Sequence, residues 1–237
     1  MLTKEEMLTV TKADFEREGW VVEDLDEHIF LVRDFITVEA RQAILDEVVT
    51  YTEDQWLGHY MDHLRDHAER EHGTRDIERL NKEGKLEITW DWADKNLHLQ
   101  TVRNITDKTN KQVEDILKPH THLYYNGLGT IQRQYEGAEL RVHVDNYTDP
   151  YVAYAGIIYI NDDYNGGELI FPTRNIELRV PAGSMMFFAA TEDYPHGVKP
   201  PLAGPQRYVL PSFVSTYNEQ GLRRDGTRDG KIIETKN

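Results

Sequence analysis

At 237 residues, with a formal charge of −15, 39% hydrophobic residues and no cysteine, the chain suits one large domain, or a core domain with a substantial N-terminal extension. Disulfides and thiolate metal sites are excluded, so any metal must be held by His, Asp or Glu, a donor set suited to iron, manganese or zinc. The acidity disfavours nucleic acid and favours a basic partner. The missing cysteines, the lack of any apolar run near the roughly 18 residues of a membrane span and an N-terminus (MLTKEEMLTV) without a signal-like apolar stretch lead us to expect a cytoplasmic protein with no membrane partner.

Residues 3–18 have the spacing of one amphipathic helix opened by Thr3 and stopped at Gly19. WVVED and IFLVRDFI (29–36) read as strands. Residues 37–51 read as a helix, with Ala40, Ile44, Val48 and Tyr51 recurring on one face. Residues 52–84 are strongly polar. Within them the His-rich stretch at 59–72 carries His59, His63 and His67 at helical spacing, a conceivable zinc face. No glutamate follows the first of these to complete H-E-x-x-H, and a solvated helix or loop is the simpler reading. LEITWDWADK (86–95) reads as a strand and turn, with Trp90 and Trp92 as core or groove residues. Residues 105–119 read as a helix closed by Pro119, burying Ile105, Val113, Ile116 and Leu117. His120 and His122 follow, at a helix end that favours cations.

From about residue 123 the texture changes to short alternating runs separated by Gly, Pro, Asn and Asp: GTIQRQY, ELRVHV, AGIIYI, GELIFP, IELRVP, SMMFFAA and RYVLPSF. Such spacing predicts an antiparallel barrel or sandwich. Met185, Met186, Phe187 and Phe188 are expected in its core, and Gly166 and Gly167 in a tight hairpin. The expected class is α+β, with an N-terminal helical support region over 1–122, a β core over 123–217 and a loose C-terminal tail over 218–237.

One stretch of the β core, RVHVDN (141–146), carries chemistry. In a strand, residues i and i+2 share a face, so His143 and Asp145 project together while Val142 and Val144 turn toward a core. Two ligands call for a third. His196, in EDYPHGVKPP directly after SMMFFAA, is favoured over His120 and His122. Two imidazoles and one carboxylate make the facial triad used by non-haem Fe(II) oxygenases.

With those residues in order, the chain resembles the 2-oxoglutarate- and Fe(II)-dependent dioxygenases, specifically the prolyl 4-hydroxylase-like branch. The resemblance covers 125–217. RQYEGAELRVHVDN carries the H-x-D strand. GIIYINDDYNGGELIFP carries a strand ending in Tyr and Asn and then a Gly-Gly hairpin. LRVPAGSMMFFAA and YPHGVKPPLAGPQRYVLPSF supply the turn, the Phe-rich strand, the distal histidine and a basic residue beyond it. IFLVRDFITVEARQAIL is similar to the entry strand and first helix that precede this core.

The resemblance implies a double-stranded β-helix (jelly-roll) core. It implies His143, Asp145 and His196 as metal ligands, and Arg207 paired with the far carboxylate of 2-oxoglutarate, a role suited to a guanidinium fork. Lys199 is the rival cation, expected at the rim. Tyr159 falls where a tyrosine joins the same carboxylate, and Tyr135 resembles a second co-substrate tyrosine. Implied cofactors are Fe(II), with 2-oxoglutarate and O2 as co-substrates, succinate and CO2 as co-products and ascorbate as a candidate reductant. The implied reaction is hydroxylation of a C–H bond, with a prolyl residue in a basic or proline-containing peptide or protein as the expected substrate. Tyr147, Tyr151 and Tyr154, in NYTDPYVAYA, would then stack on a proline ring. Three alternatives stay open: nucleic-acid dealkylation, the same chemistry on a small molecule, and a barrel that binds metal without turnover. The oligomeric state is not legible.

Overall fold

Thr3 caps a helix, as its spacing predicts, but that helix ends after one turn. The N-terminal stretch forms α1 (Lys4–Met7) and α2 (Lys12–Arg17) rather than a single helix. Two interactions break it, one local and one tertiary. The Asp14 carboxylate accepts the Thr11 backbone N–H at 2.8 Å, starting a new helix at that point. The buried Val10 donates its N–H to the Tyr154 hydroxyl at 3.0 Å, which draws the linker into the β core. This computed structural model describes residues 2–52, 55–58, 90–93, 100–129, 131–134, 136–137, 140–147, 149–218, 220–223, 227–228 and 231–232. The His-rich stretch with His59, His63 and His67 lies outside them, as does Tyr135.

Asp14 also pairs with Arg17 at 2.8 Å and with His120 at 3.1 Å. Burial pushes its pKa up, but the Thr11, Arg17 and His120 interactions outweigh burial and hold it below the usual aspartate value. A carboxylate depressed in the folded state stabilises above its unfolded pKa of about 3.9, and that contribution is lost as pH falls through the folded value. Asp14→Asn should therefore cost about 1–2 kcal/mol at neutral pH. In paired urea melts the difference from wild type should shrink as the pH drops below about 4.

Thr37 caps α3 (Val38–Val48), accepting the Ala40 N–H at 3.2 Å, and Ile44 and Val48 are buried as the periodicity predicts. Helix α4 (Gln100–Leu117) reaches further toward the N-terminus than its expected start at 105 and buries Val102 as well as Val113, Ile116 and Leu117. It packs against α2 and α3 and on the strand Leu123–Leu128.

Seventeen strands are described, in chain order β1 (Val22–Asp26), β2 (Ile29–Val32), β3 (Trp56–Gly58), β4 (Trp90–Ala93), β5 (Leu123–Leu128), β6 (Gln132–Gln134), β7 (Leu140–His143), β8 (Val152–Tyr159), β9 (Asn165–Gly166), β10 (Leu169–Phe171), β11 (Ile176–Leu178), β12 (Met185–Ala189), β13 (His196–Val198), β14 (Pro201–Ala203), β15 (Arg207–Thr216), β16 (Thr227–Arg228) and β17 (Lys231–Ile232). Strand β2 stops short of the expected 36 because Asp34 takes a left-handed φ of 50°, which turns the chain. The large sheet runs β1-β2-β12-β8-β15-β6-β4-β3, with β5 also on β15. The small sheet runs β11-β10-β13-β7. Every pairing in both sheets is antiparallel. Together they form a double-stranded β-helix, and with the helices at the N-terminal side the class is α+β.

Met185, Met186, Phe187 and Phe188 are buried in β12. Tyr154 stacks on Phe187 at a centroid distance of 5.0 Å and is fully buried. The expectation that it stacks on a substrate ring is therefore corrected. Strand β8 begins at Val152, so Tyr154 lies inside the sheet rather than in a loop. The segment from 218, expected to be loose, contains a short antiparallel pairing in which Thr227 faces Ile232 and Arg228 faces Lys231. Among the described residues no helix is long and apolar enough to cross a membrane.

Candidate active site

Strands β7 and β13 are neighbours in the small sheet, and their register sets His143 opposite His196. The H-x-D spacing does not act through the pleat, as the sequence suggests. Strand β7 ends at His143, and Asp145 opens a 3₁₀ turn, Asp145–Tyr147. The turn is tied down where the Asn146 N–H donates to the Ala190 carbonyl at 3.1 Å. Val142 is also corrected: it is 49% exposed rather than packed in a core, because β7 is the outer strand of its sheet.

The turn nevertheless aims Asp145 between the two imidazoles. His143 Nε2 lies 3.2 Å from Asp145 Oδ1, and His196 Nε2 lies 3.5 Å from Asp145 Oδ2. One ligand atom from each residue falls within 4.8 Å of the others. This is the one such cluster of three or more His, Asp or Glu among the described residues. His143 Nδ1 sits 2.8 Å from the Arg141 carbonyl, and His196 Nδ1 sits 3.2 Å from the Tyr194 carbonyl. A carbonyl only accepts, so each Nδ1 donates to it and each Nε2 is left facing the pocket, where a neutral ring offers its lone pair to a metal. Burial lowers the His196 pKa, outweighing the pull of Asp145, and so favours the neutral ring. At His143 burial also works downward, but the Asp145 hydrogen bond and charge outweigh it and raise the pKa. Phe188 packs edge-on against His196 at 4.5 Å. Two lone pairs and one carboxylate on one side of a pocket fit a divalent iron.

Gly197 lets β13 lie this close to β7. A Cβ there would sit 2.7 Å from the Leu140 carbonyl and 3.0 Å from the Val142 nitrogen, both backbone atoms. Gly197→Ala should separate the strands, cost about 1–3 kcal/mol and weaken metal binding together with stability. Thermal melts and Mn(II) titration of the same sample would check this.

Arg207 opens β15 opposite Gln134 of β6. It is 5% exposed, and its Nη1 donates to Gln134 Oε1 at 3.1 Å. Its Nε has no partner, and no carboxylate pairs with it among the described residues. The guanidinium lies over the Tyr159 ring, 4.8 Å from the centroid. The Tyr159 and Tyr164 hydroxyls are buried beside Arg207, which only donates, so neither O–H proton has an acceptor among the described residues. An uncompensated buried charge costs several kcal/mol, so this corner is built for an anion. A narrow cavity bordered by Gln132, Gln134, Leu140, Arg207 and Val209 links it to β7.

The other candidates lie elsewhere. Lys199 pairs with Glu177 at 2.6 Å on the surface. His120 and His122 both contact Thr9, at 2.9 and 3.2 Å, and take no part in the triad. Tyr147 is 90% exposed, two residues beyond Asp145. Trp90 and Trp92 lie opposite Gln134 and Gln132 in the sheet register. Sequence reasoning missed Tyr164. Its signal was an aromatic residue between the end of a strand and a Gly-Gly hairpin. Gly167 is also more than a hairpin residue, because a Cβ there would lie 2.9 Å from the Tyr164 ring.

Residues 130–215 match the family model of the 2OG-Fe(II) oxygenase superfamily. No curated protein matches the sequence. Among solved structures, a prolyl hydroxylase from Trichoplax adhaerens, in complex with a hypoxia-inducible-factor oxygen degradation domain peptide, aligns with a TM-score of 0.58 at 12% identity over 90% of each chain. The viral collagen prolyl hydroxylase of Paramecium bursaria Chlorella virus-1, in complex with 2OG, aligns with a TM-score of 0.54 at 13% identity, over 81% of this chain and 97% of the other. At such identities the likeness is one of fold.

Proposed function

We propose that this chain, whose residues 130–215 match the family model of the 2OG-Fe(II) oxygenase superfamily, is a 2-oxoglutarate-dependent dioxygenase whose substrate is a prolyl residue in a peptide or protein. His143, Asp145 and His196 hold the iron, and Arg207 with Tyr159 holds the far carboxylate of 2-oxoglutarate. The observation that carries the co-substrate assignment is the buried Arg207 without a counter-charge. Held there, iron and 2-oxoglutarate would supply the O2-dependent oxidation of a C–H bond, with succinate and CO2 as co-products. The chain itself orients and shields. The Arg141 and Tyr194 carbonyls fix the imidazoles. Phe188 and Phe171 keep water from the inner face of His196.

The prolyl assignment draws on the substrates named for the two enzymes of like fold, and the formal charge of −15 suits a basic peptide. Tyr147, exposed beside the triad, offers a face for a proline ring. We read residues 123–217 as the catalytic core and 1–122 as its support.

The test is incubation with Fe(II), 2-oxoglutarate, ascorbate as reductant and a basic proline-containing peptide. One oxygen added to proline, with succinate released in step, is the expected result. Succinate release stimulated by a methylated oligonucleotide or a small molecule, with the peptide unchanged, would overturn the prolyl reading and leave the oxygenase chemistry standing.

A further inference from the structure

Tyr164 is completely buried, and the group within hydrogen-bonding reach of its hydroxyl is Arg207, which only donates, so the O–H proton finds no acceptor among the described residues. Buried phenols usually find one, so an orphan invites an explanation in terms of a ligand. Its neighbours are Arg207, whose Nε is also unpartnered, and Tyr159, with a second orphan hydroxyl. Burial pushes the Tyr164 pKa up to about 12 and outweighs the opposing pull of Arg207. At neutral pH the group is thus an O–H donor and not a phenolate.

The chain holds this ring in place from several directions. Gly167, at φ 70°, approaches so closely that a Cβ would meet Tyr164 Cε2 at 2.9 Å while lying 3.5 Å from Arg207 Cδ. Arg179 sits over the ring at 5.4 Å and donates to the Tyr164 and Asp162 carbonyls. A Cβ on Gly204, at φ 104°, would come within 3.1 Å of Tyr164 Cα. A ring needed only to fill space would not require a hydroxyl aimed into a dry corner beside a cation.

We propose that Tyr164 is a further co-substrate-binding residue, donating its O–H, alongside Arg207 and Tyr159, to the far carboxylate of the 2-oxo acid. The inference rests on the co-substrate reading above. It extends it with a second phenol, so that both oxygens of the carboxylate are saturated by neutral and charged donors.

The experiment is calorimetric titration of 2-oxoglutarate, and separately of 2-oxobutyrate, which lacks the far carboxylate, into anaerobic Mn(II)-loaded protein. Wild type and Tyr164→Phe are compared, with melting of the ligand-free forms alongside. Tyr164→Phe should bind 2-oxoglutarate about tenfold or more weakly, the range for a hydrogen bond to a charged group. Its affinity for 2-oxobutyrate should be unchanged. Without ligand its melting temperature should change little, since the lost O–H had no acceptor and only a contact with Arg207 goes with it. Equal 2-oxoglutarate affinity in the two proteins overturns this proposal alone. Wild type that binds Mn(II) but not 2-oxoglutarate overturns the co-substrate reading and this proposal with it.

Discussion

Arg207→Leu is expected to lower kcat/KM for 2-oxoglutarate by about 10³-fold and to raise the melting temperature of the ligand-free protein. Both effects come from one fact, a guanidinium 5% exposed with no carboxylate partner among the described residues. A charge-assisted hydrogen bond contributes about 1.5–3 kcal/mol, and a fork that makes two of them accounts for about 10²–10⁴-fold in affinity. Without the ligand the same charge is only a desolvation cost, which leucine removes. The loss of the bond to Gln134 offsets part of that gain. Steady-state kinetics over a 2-oxoglutarate range, beside urea unfolding, measures both signs. Stability that falls along with activity would mean that Arg207 is a structural residue. Activity and stability pulling in opposite directions is the expected mark of a binding residue kept at the expense of the fold.

Asp145→Ala should remove turnover and weaken divalent metal binding by about 100-fold or more. Asp145 is the only anionic member of the cluster, and both Nε2 atoms lean on it, at 3.2 and 3.5 Å. Without it two neutral imidazoles, with centroids 4.6 Å apart, must bind a dication alone. The fold should survive, since Asp145 lies in a turn whose backbone is anchored separately through Asn146 and Ala190. Mn(II) binding followed by electron paramagnetic resonance, with circular dichroism as the folding control, checks it. Unchanged Mn(II) affinity would remove Asp145 from the metal site.

Much of this was legible in the sequence, and the failures share a cause. Local signals carried well. Thr37 opens α3 and Met185 to Phe188 form a core strand, whereas the strand expected over 29–36 stops at Val32 because Asp34 turns the chain. What the sequence could not show was which side of an element faces something. Val142 alternates like a core residue but sits on an outer strand. Tyr154 looks like a loop aromatic but follows the true start of β8. Residues 3–18 have helical spacing throughout, yet contacts to Tyr154 and Asp14 break them in two. Tyr164 went unnoticed because its meaning depends on Arg207, which is distant in sequence and adjacent only in the fold.

The most direct measurement is anaerobic visible absorption on adding Fe(II) and then 2-oxoglutarate. A weak charge-transfer band that neither component gives alone is expected in wild type, absent in Asp145→Ala and His196→Ala and reduced at equal 2-oxoglutarate in Arg207→Leu. Folded wild-type protein that binds Fe(II) and shows no such band at saturating 2-oxoglutarate would contradict the oxygenase site and leave a metal-binding barrel in its place.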